Sequence, residues 1–307
     1  MASITVFTPT YNRMENLKNC YTSLLKQTNK DFIWQIVDDG STDQTESLVK
    51  EWVAEEKLEI VYIKKKNGGK ASSINVSLEE TESPLWVTLD SDDYFFPEAI
   101  QTILDNIHNI AGKKNVCGMF ALRSQPNGEP MQKQTIPEAV QYATQNKIRY
   151  ELGIPPEYMH VFKTEVARKY PYPLIEGENY IPLSYVFDQI DQEYEYFILH
   201  EPLMVCEYQE GGITNTKRNL IKKNPKGYTL YKRQLIDLAP NLKTKIKASA
   251  NYTTGCLLGG TEKGWLKDTP HKFLTLLSSP IGLLDYIIRY KFDVAYNPEL
   301  SYLNDKK

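Results

Sequence analysis

Leu85-Trp86-Val87-Thr88-Leu89-Asp90-Ser91-Asp92-Asp93 is the stretch on which the fold turns. Five mostly apolar residues run straight into an acidic cluster. A short apolar run bounded by turn-forming acids is the pattern of a buried strand. The same arrangement recurs upstream. Residues 4–8 form a β-branched run that stops at Pro9 and leads into Thr10-Tyr11-Asn12-Arg13. Residues 32–37 lead into Asp38-Asp39-Gly40-Ser41, and residues 58–63 into the loop Asn67-Gly68-Gly69. Helical spacing fills the gaps. Residues 16–27 put Leu17, Tyr21, Leu24 and Leu25 on one face, residues 44–56 follow a cap at Ser41 or Thr42, and residues 70–78 follow the glycines. Strands alternating with helices predict βαβ units and a mainly parallel sheet. Ligands of such sheets bind beyond the carboxyl ends of the strands. Segments 8–13, 38–43 and 90–93 are therefore expected to converge on one crevice.

The acidic cluster carries the first chemistry. Alternating carboxylates at a strand end can offer oxygen to one hard cation, and Mg²⁺ or Mn²⁺ shares such ligands with substrate phosphates. A solvated turn is the other reading of a lone Asp-x-Asp.

Four segments occur in order, each after an expected strand: Phe7-Thr8-Pro9-Thr10-Tyr11-Asn12-Arg13, Asp38-Asp39-Gly40-Ser41-Thr42-Asp43, Asn67-Gly68-Gly69-Lys70 through Asn75, and Leu89-Asp90-Ser91-Asp92-Asp93. Together they resemble the inverting family 2 glycosyltransferases, firmly over residues 3–100 and more loosely over 150–215. The resemblance implies the α/β GT-A nucleotide-diphospho-sugar transferase fold, Rossmann-like, with a mixed, mainly parallel sheet flanked by helices. It also implies transfer of one sugar from a UDP-sugar to a hydroxyl of a glycan, assisted by Mn²⁺ or Mg²⁺, and the lack of a Gln-x-x-Arg-Trp motif and of an expected membrane span points to a non-processive transfer. On this resemblance Asp39 accepts a hydrogen bond from uracil N3–H, which a carboxylate, an acceptor only, can do. That contact would not separate UDP from dTDP. Asp38 shares the turn. Thr8 and Pro9 contact the uridine through backbone, Tyr11 packs against the base, and Arg13 lies near the nucleotide. Gly68 and Gly69 let the backbone approach closely, Asn67 opens the same nucleotide-sugar-binding loop, and Lys70 offsets diphosphate or ribose-side charge. Asp90 and Ser91 lie near the ribose. Asp92 contacts the metal, with Asp90 and Asp93 as further candidates.

Inverting transfer needs a base to take the acceptor's proton as it attacks the anomeric carbon. The family places an acid well after the Asp-x-Asp, often in a Glu-Asp pair. Here the segment reads Pro173-Leu174-Ile175-Glu176-Gly177-Glu178-Asn179, so the pair is Glu178-Asn179. Glu178 is the expected base, with Glu176 second and Asp188 third. His160, in Tyr158-Met159-His160-Val161-Phe162, is expected to be packed rather than catalytic.

Composition narrows the classes. The chain has 307 residues, 36 basic against 39 acidic, for a formal charge of −3, which disfavours nucleic acid as a partner. Cys20, Cys117, Cys206 and Cys256 form no Cys-x-x-Cys pair, which argues against a disulfide scaffold or a zinc site and fits a reducing cytoplasm. Neither a secretory leader nor a membrane span is expected.

Further along, residues 97–109 read as a helix, 115–122 as a strand, 158–162 as a strand, 164–168 as a short helix and 197–208 as a strand interrupted by Pro202. The loop Glu207-Tyr208-Gln209-Glu210-Gly211-Gly212-Ile213-Thr214 is a candidate flap over the donor. From Lys217 to Lys247 ten basic residues face one acid, Asp237, a net of +9. Helices are expected over 228–238 and 243–258, with apolar helical segments at 273–277 and 281–290. The basic stretch reads as a solvated helical face or as a surface for phosphate-bearing acceptor or anionic lipid. The apolar segments read as a membrane-interface helix, a cover for the catalytic domain or a homodimer contact. The expected organisation is a catalytic domain over 1–215, with a nucleotide-sugar half (1–100) and an acceptor half (101–215), and a helical extension over 216–307. Capsule, exopolysaccharide or cell-wall glycan assembly is the expected setting, at the inner face of the cell membrane, with a lipid-diphosphate-linked saccharide or a glycoprotein as acceptor. The alternatives are a sugar nucleotidyltransferase, disfavoured by the lack of an Arg-containing glycine-rich loop after the first strand, and a silent relative that supports a partner enzyme.

Overall fold

The computed structural model describes residues 2–132, 134–155, 157–206, 213–261 and 264–292. Residues 207–212 of the flap expected from sequence lie outside them. Two units make up the chain: Met1–Asn179 with Val186–Asn215, and Tyr180–Tyr185 with the chain from Thr216 onward.

The first unit opens with the alternation read from sequence: β1 (Ile4–Thr10), α1 (Met14–Leu25), β2 (Phe32–Asp38), α2 (Thr45–Ala54), β3 (Ile60–Lys64), α3 (Gly69–Glu80) and β4 (Leu85–Thr88). Then follow β5 (Asp93–Phe95), α4 (Ala99–Asp105), β6 (Val116–Ser124), β7 (Tyr142–Ala143), β8 (Tyr158–Lys163), α5 (Thr164–Ala167), α6 (Ser184–Ile190) and β9 (Glu195–Cys206). The described strands form one mixed sheet in the order β3-β2-β1-β4-β8-β6-β9-β5, with β7 paired to β9. The β3-β2-β1-β4 half is parallel, and β8 pairs antiparallel with both β4 and β6. This is a mixed α/β sheet flanked by helices, as the resemblance implied.

Burial explains the helix positions. α1 turns Leu17, Cys20, Tyr21 and Leu24 inward, and α2 turns Val49 and Trp52 inward. Tyr21 stacks on Trp52 at 4.3 Å between ring centroids, and Trp52 on Trp34 of β2 at 5.7 Å. Offset aromatic stacking of this kind pins both helices to one face of the sheet.

Two local expectations are corrected. Neither Ser41 nor Thr42 caps α2, which starts at Thr45. The cap position is Gln44, whose side chain makes no capping bond, and Asp43 just before it accepts from the Thr45 backbone N–H at 3.1 Å. Ser41 instead accepts the Asn12 backbone N–H at 2.9 Å, tying the β1 and β2 ends together.

The second unit is helical: α7 (Ile213–Lys223), α8 (Pro225–Leu238), α9 (Leu242–Leu258), α10 (Trp265–Asp268) and α11 (Lys272–Tyr286). The segments 273–277 and 281–290 do not form separate helices. α11 runs through Pro280. A mid-helix proline leaves the carbonyl four residues back without its donor. Here that carbonyl is Leu276 O, and Ser279 Oγ donates to it at 2.8 Å. α11 packs on α9 through Gly282, where an added Cβ would lie 2.3 Å from Ala250 O. Among the described residues no helix is long and apolar enough to cross a membrane.

Candidate functional site

The sheet register sets the crevice. Thr10 lies opposite Asp38 across β1 and β2, and Phe7 opposite Thr88 across β1 and β4. The polar segments that follow β1, β2 and β4 therefore leave the sheet side by side. Thr8, at 0% exposure, is a strand residue whose hydroxyl accepts from the Trp34 indole at 2.9 Å.

Asp38 is fully buried and works on its own turn. It accepts from the Ser41 backbone N–H at 2.7 Å and from the Tyr62 hydroxyl. Burial pushes the Tyr62 phenol far up, and the Asp38 carboxylate adds to the shift.

Asp39 organises the glycine loop. Its carboxylate accepts from the backbone N–H groups of Gly68 at 2.9 Å and Gly69 at 2.7 Å, and from Lys65. Its own backbone carbonyl accepts from the Asn67 side chain at 3.0 Å. A carboxylate offers about four acceptor positions, so these contacts leave Asp39 room for one more donor. Lys65, which follows β3 and lies beside the Asn-Gly-Gly loop, is a site cation the sequence reading missed.

Four more of the predicted residues form two ion pairs. Lys70, in the first turn of α3, reaches Asp90 at 2.5 Å, and Arg13 reaches Asp92 at 3.0 Å. Burial works to raise the Asp90 carboxyl. Lys70 beside it, then Arg123 and Arg13, more than offset that and hold it below the usual carboxylate range. Asp93 is different. It is buried at the start of β5, and burial, then the Asp90 charge, raise it to about 7. Ser91 is also buried, and its carbonyl accepts the Cys20 thiol. Tyr11, by contrast, is 49% exposed.

Arg123 was also missed. It is the penultimate residue of the mostly apolar strand β6, with its Nε buried and without a hydrogen-bond partner. Its charge acts on both Asp90 and Asp93. A single arginine near the end of a mostly apolar strand was the available signal.

The segment carrying the expected base meets the same loop. An added Cβ on Gly69 would lie 1.7 Å from Asn179 O, so the two backbones are in contact where only glycine fits, at φ +83°. The Asn179 side chain also donates to Asn67 Oδ1 at 3.3 Å. Glu178 thus lies one residue from a group touching the loop that leads into Lys70. It follows Gly177 at φ +79°, is partly exposed, and its backbone N–H donates to Ile175 O at 3.0 Å. Glu176 is exposed, whereas Asp188 is buried on α6.

His160 stacks on Phe187 at 4.4 Å, meets Phe120 edge-on at 4.7 Å and contacts Gln145 at 3.2 Å. Burial, with a contribution from Arg123, lowers it to about 3. It is a packed, neutral ring.

The donor set bears on a divalent cation. Among the described residues no three carboxylates, imidazoles or thiols converge. Asp92 is partly exposed, and a single carboxylate completed by water and substrate phosphate oxygens is a known way of binding Mg²⁺. The residues present fit a cation shared with a diphosphate and do not fit a cage made by the protein alone.

Comparison with known proteins identifies the family and the fold. Residues 5–171 match the model of the family described as Glycosyl transferase family 2. A teichoic acid poly(glycerol phosphate) polymerase from Staphylococcus epidermidis is 35% identical over 113 residues, covering 36% of this chain and 16% of that protein. The poly(ribitol-phosphate) β-N-acetylglucosaminyltransferase TarS of Staphylococcus aureus is 29% identical over 140 residues, covering 45% of this chain and 24% of TarS. The chain thus spans less than a quarter of the length of either relative. The crystal structure of S. aureus TarS 1–349 in complex with UDP-GlcNAc superposes with a TM-score of 0.58 at 17% identity, covering 97% of this chain and 93% of that one. The mannosyltransferase PcManGT from Pyrobaculum calidifontis, in complex with GDP-Man and Mn²⁺, gives 0.55 at 15% identity, covering 99% and 83%. At these identities the structural likeness speaks to the fold.

Proposed function

This chain belongs to glycosyltransferase family 2, and on that premise we propose that it moves one sugar from a UDP-sugar to a hydroxyl of a cell-wall or capsule glycan, with inversion and without processivity. One observation carries the reading: the segments after β1, β2 and β4 meet beside the glycine loop with Arg13, Lys65 and Lys70 paired to Asp92, Asp39 and Asp90. Cations paired in this way can turn to a diphosphate when it enters.

In the proposed mechanism Asp39 takes uracil N3–H with its remaining acceptor position, and Tyr11 covers the base. Thr8 and Pro9 border the uridine, and Asp38 keeps the turn that presents Asp39. Gly68 and Gly69 let the backbone approach the donor beside Asn67, and Ser91 lies along the ribose side with Asp90. Lys70 and Arg13 offset the charge that builds on the departing diphosphate. Mn²⁺ or Mg²⁺, when bound, would be held by Asp92 and would supply Lewis-acid charge neutralisation. Glu178 takes the proton of the acceptor hydroxyl as it attacks the anomeric carbon opposite the diphosphate. Glu176 is the alternative base.

UDP as donor is supported by the UDP-GlcNAc bound to TarS, and a phosphate-bearing glycan as acceptor by the names of the polymer-acting relatives. Residues 1–100 would serve the donor, 101–215 the acceptor, and 216–307 would form the helical extension. A lipid-diphosphate-linked acceptor would place the reaction at the cytoplasmic face of a membrane.

The test is a panel of nucleotide-sugars scored by slow hydrolysis and by thermal shift, with and without Mn²⁺. A metal-dependent response to one UDP-sugar is expected. A folded protein that answers to none of the panel would overturn the reading.

A further inference from the structure

α11 is amphipathic in the inverted sense. Its buried positions are Thr275, Ser278 and Gly282, which are small and mostly polar. Its exposed positions are large and apolar. Phe273 is 80% exposed, Leu277 66%, Ile281 58% and Leu284 57%, and Ile288 in the following turn is 42% exposed. These residues recur every three to four positions and so form one stripe along the helix. Packing against α9 explains the small face, because close approach at Gly282 requires it. It does not explain the stripe. Exposed contiguous apolar patches on soluble chains mark contact sites.

Charge identifies the occupant. Residues 1–215 carry 19 basic and 32 acidic side chains, a net of −13, whereas residues 216–292 carry 15 basic and 4 acidic, a net of +11. The exposed charges from Lys272 to Phe292 are Lys272, Arg289 and Lys291, and the one acid there, Asp285, is less exposed and paired with Arg289 at 3.0 Å. A strongly basic unit whose outer helix shows leucine, isoleucine and phenylalanine without exposed acid matches an anionic lipid surface, where apolar insertion and headgroup attraction add. A second copy of this chain would bring the same basic unit against itself, which charge opposes.

We propose that α11 is a peripheral membrane-docking helix that lies in the interface of an anionic bilayer with Phe273, Leu277, Ile281 and Leu284 immersed. The inference is independent of the transferase reading and stands or falls without it. The test is co-sedimentation of the full chain with vesicles of equal parts phosphatidylglycerol and phosphatidylcholine, alongside vesicles of phosphatidylcholine alone. Binding is expected with the anionic vesicles, weakened by raised salt. Leu277→Glu with Ile281→Glu is expected to lower the bound fraction about tenfold. Both sites are exposed, so the melting temperature and the response to UDP-sugar should stay unchanged. Equal binding by the variant would overturn the proposal. So would failure of the wild type to bind, with light scattering then showing whether the stripe instead joins two copies of the chain in a dimer that the same substitutions break.

Discussion

Glu178 owes its candidacy to its neighbours. In Glu176-Gly177-Glu178-Asn179 the sequence ranks the second glutamate first only through its place in the Glu-Asn pair. The backbone contact of Asn179 with Gly69 favours the second, since it brings that residue to the loop that leads into Lys70. Glu178→Gln keeps size and polarity but cannot accept a proton. We expect it to lower kcat about a thousandfold while leaving UDP affinity, measured by calorimetry, nearly intact. Loss of UDP binding as well, or normal turnover, would remove Glu178 from the base position. The motif residues are more tightly committed than a list of ligands implies. Asp38 is spent on its own turn, and Asp39 already holds two backbone N–H groups and Lys65. The Asp-Asp-Gly-Ser turn thus builds the loop geometry as well as offering an acceptor. A carboxylate is the side chain that can do both.

Among the elements, α11 shows how a sequence signal is overruled. Pro280 between two apolar segments reads as a break. The helix continues because Ser279 supplies the hydrogen bond that the proline cannot. Ser279→Ala should therefore cost about 1 kcal/mol of stability. In a Pro280→Ala background, where the new N–H reaches Leu276 O, the same change should cost almost nothing. Urea unfolding of the four chains gives the cycle, and an equal cost in both backgrounds would refute the account. The early elements behave differently. In α1 and α2 the apolar spacing, the aromatic stack and the turn acids point to one answer, so the reading held to within a few residues. The expected cap at Ser41 failed because that hydroxyl serves a partner 29 positions away, Asn12, and local spacing holds no trace of it.

Over the molecule as a whole, packing sets the response to pH. His160 is held neutral among aromatic rings, lowered from 6.5 to about 3 by burial and then by Arg123. Below about 6.5 the unfolded chain binds a proton that the native state refuses, so this group's contribution is lost as pH falls from about 6.5 toward 3. His160→Phe removes that penalty. The stability of the variant relative to wild type should therefore rise on acidification, on the order of 1 kcal/mol per pH unit. Melting curves at several pH values check it, and a constant gap would show that His160 protonates as readily in the native state. By itself the sequence determined the strand–helix alternation, the parallel half of the sheet and the polar segments at the strand ends, because short-range periodicity and turn chemistry encode these, while the family was legible through the resemblance of its four ordered motifs. Only the tertiary structure decided that Arg123 and Lys65 join the site, that Gly69 admits the Asn179 backbone and that α11 turns its large apolar residues outward. Each depends on which distant segments come into contact, and local spacing along the chain carries no record of that.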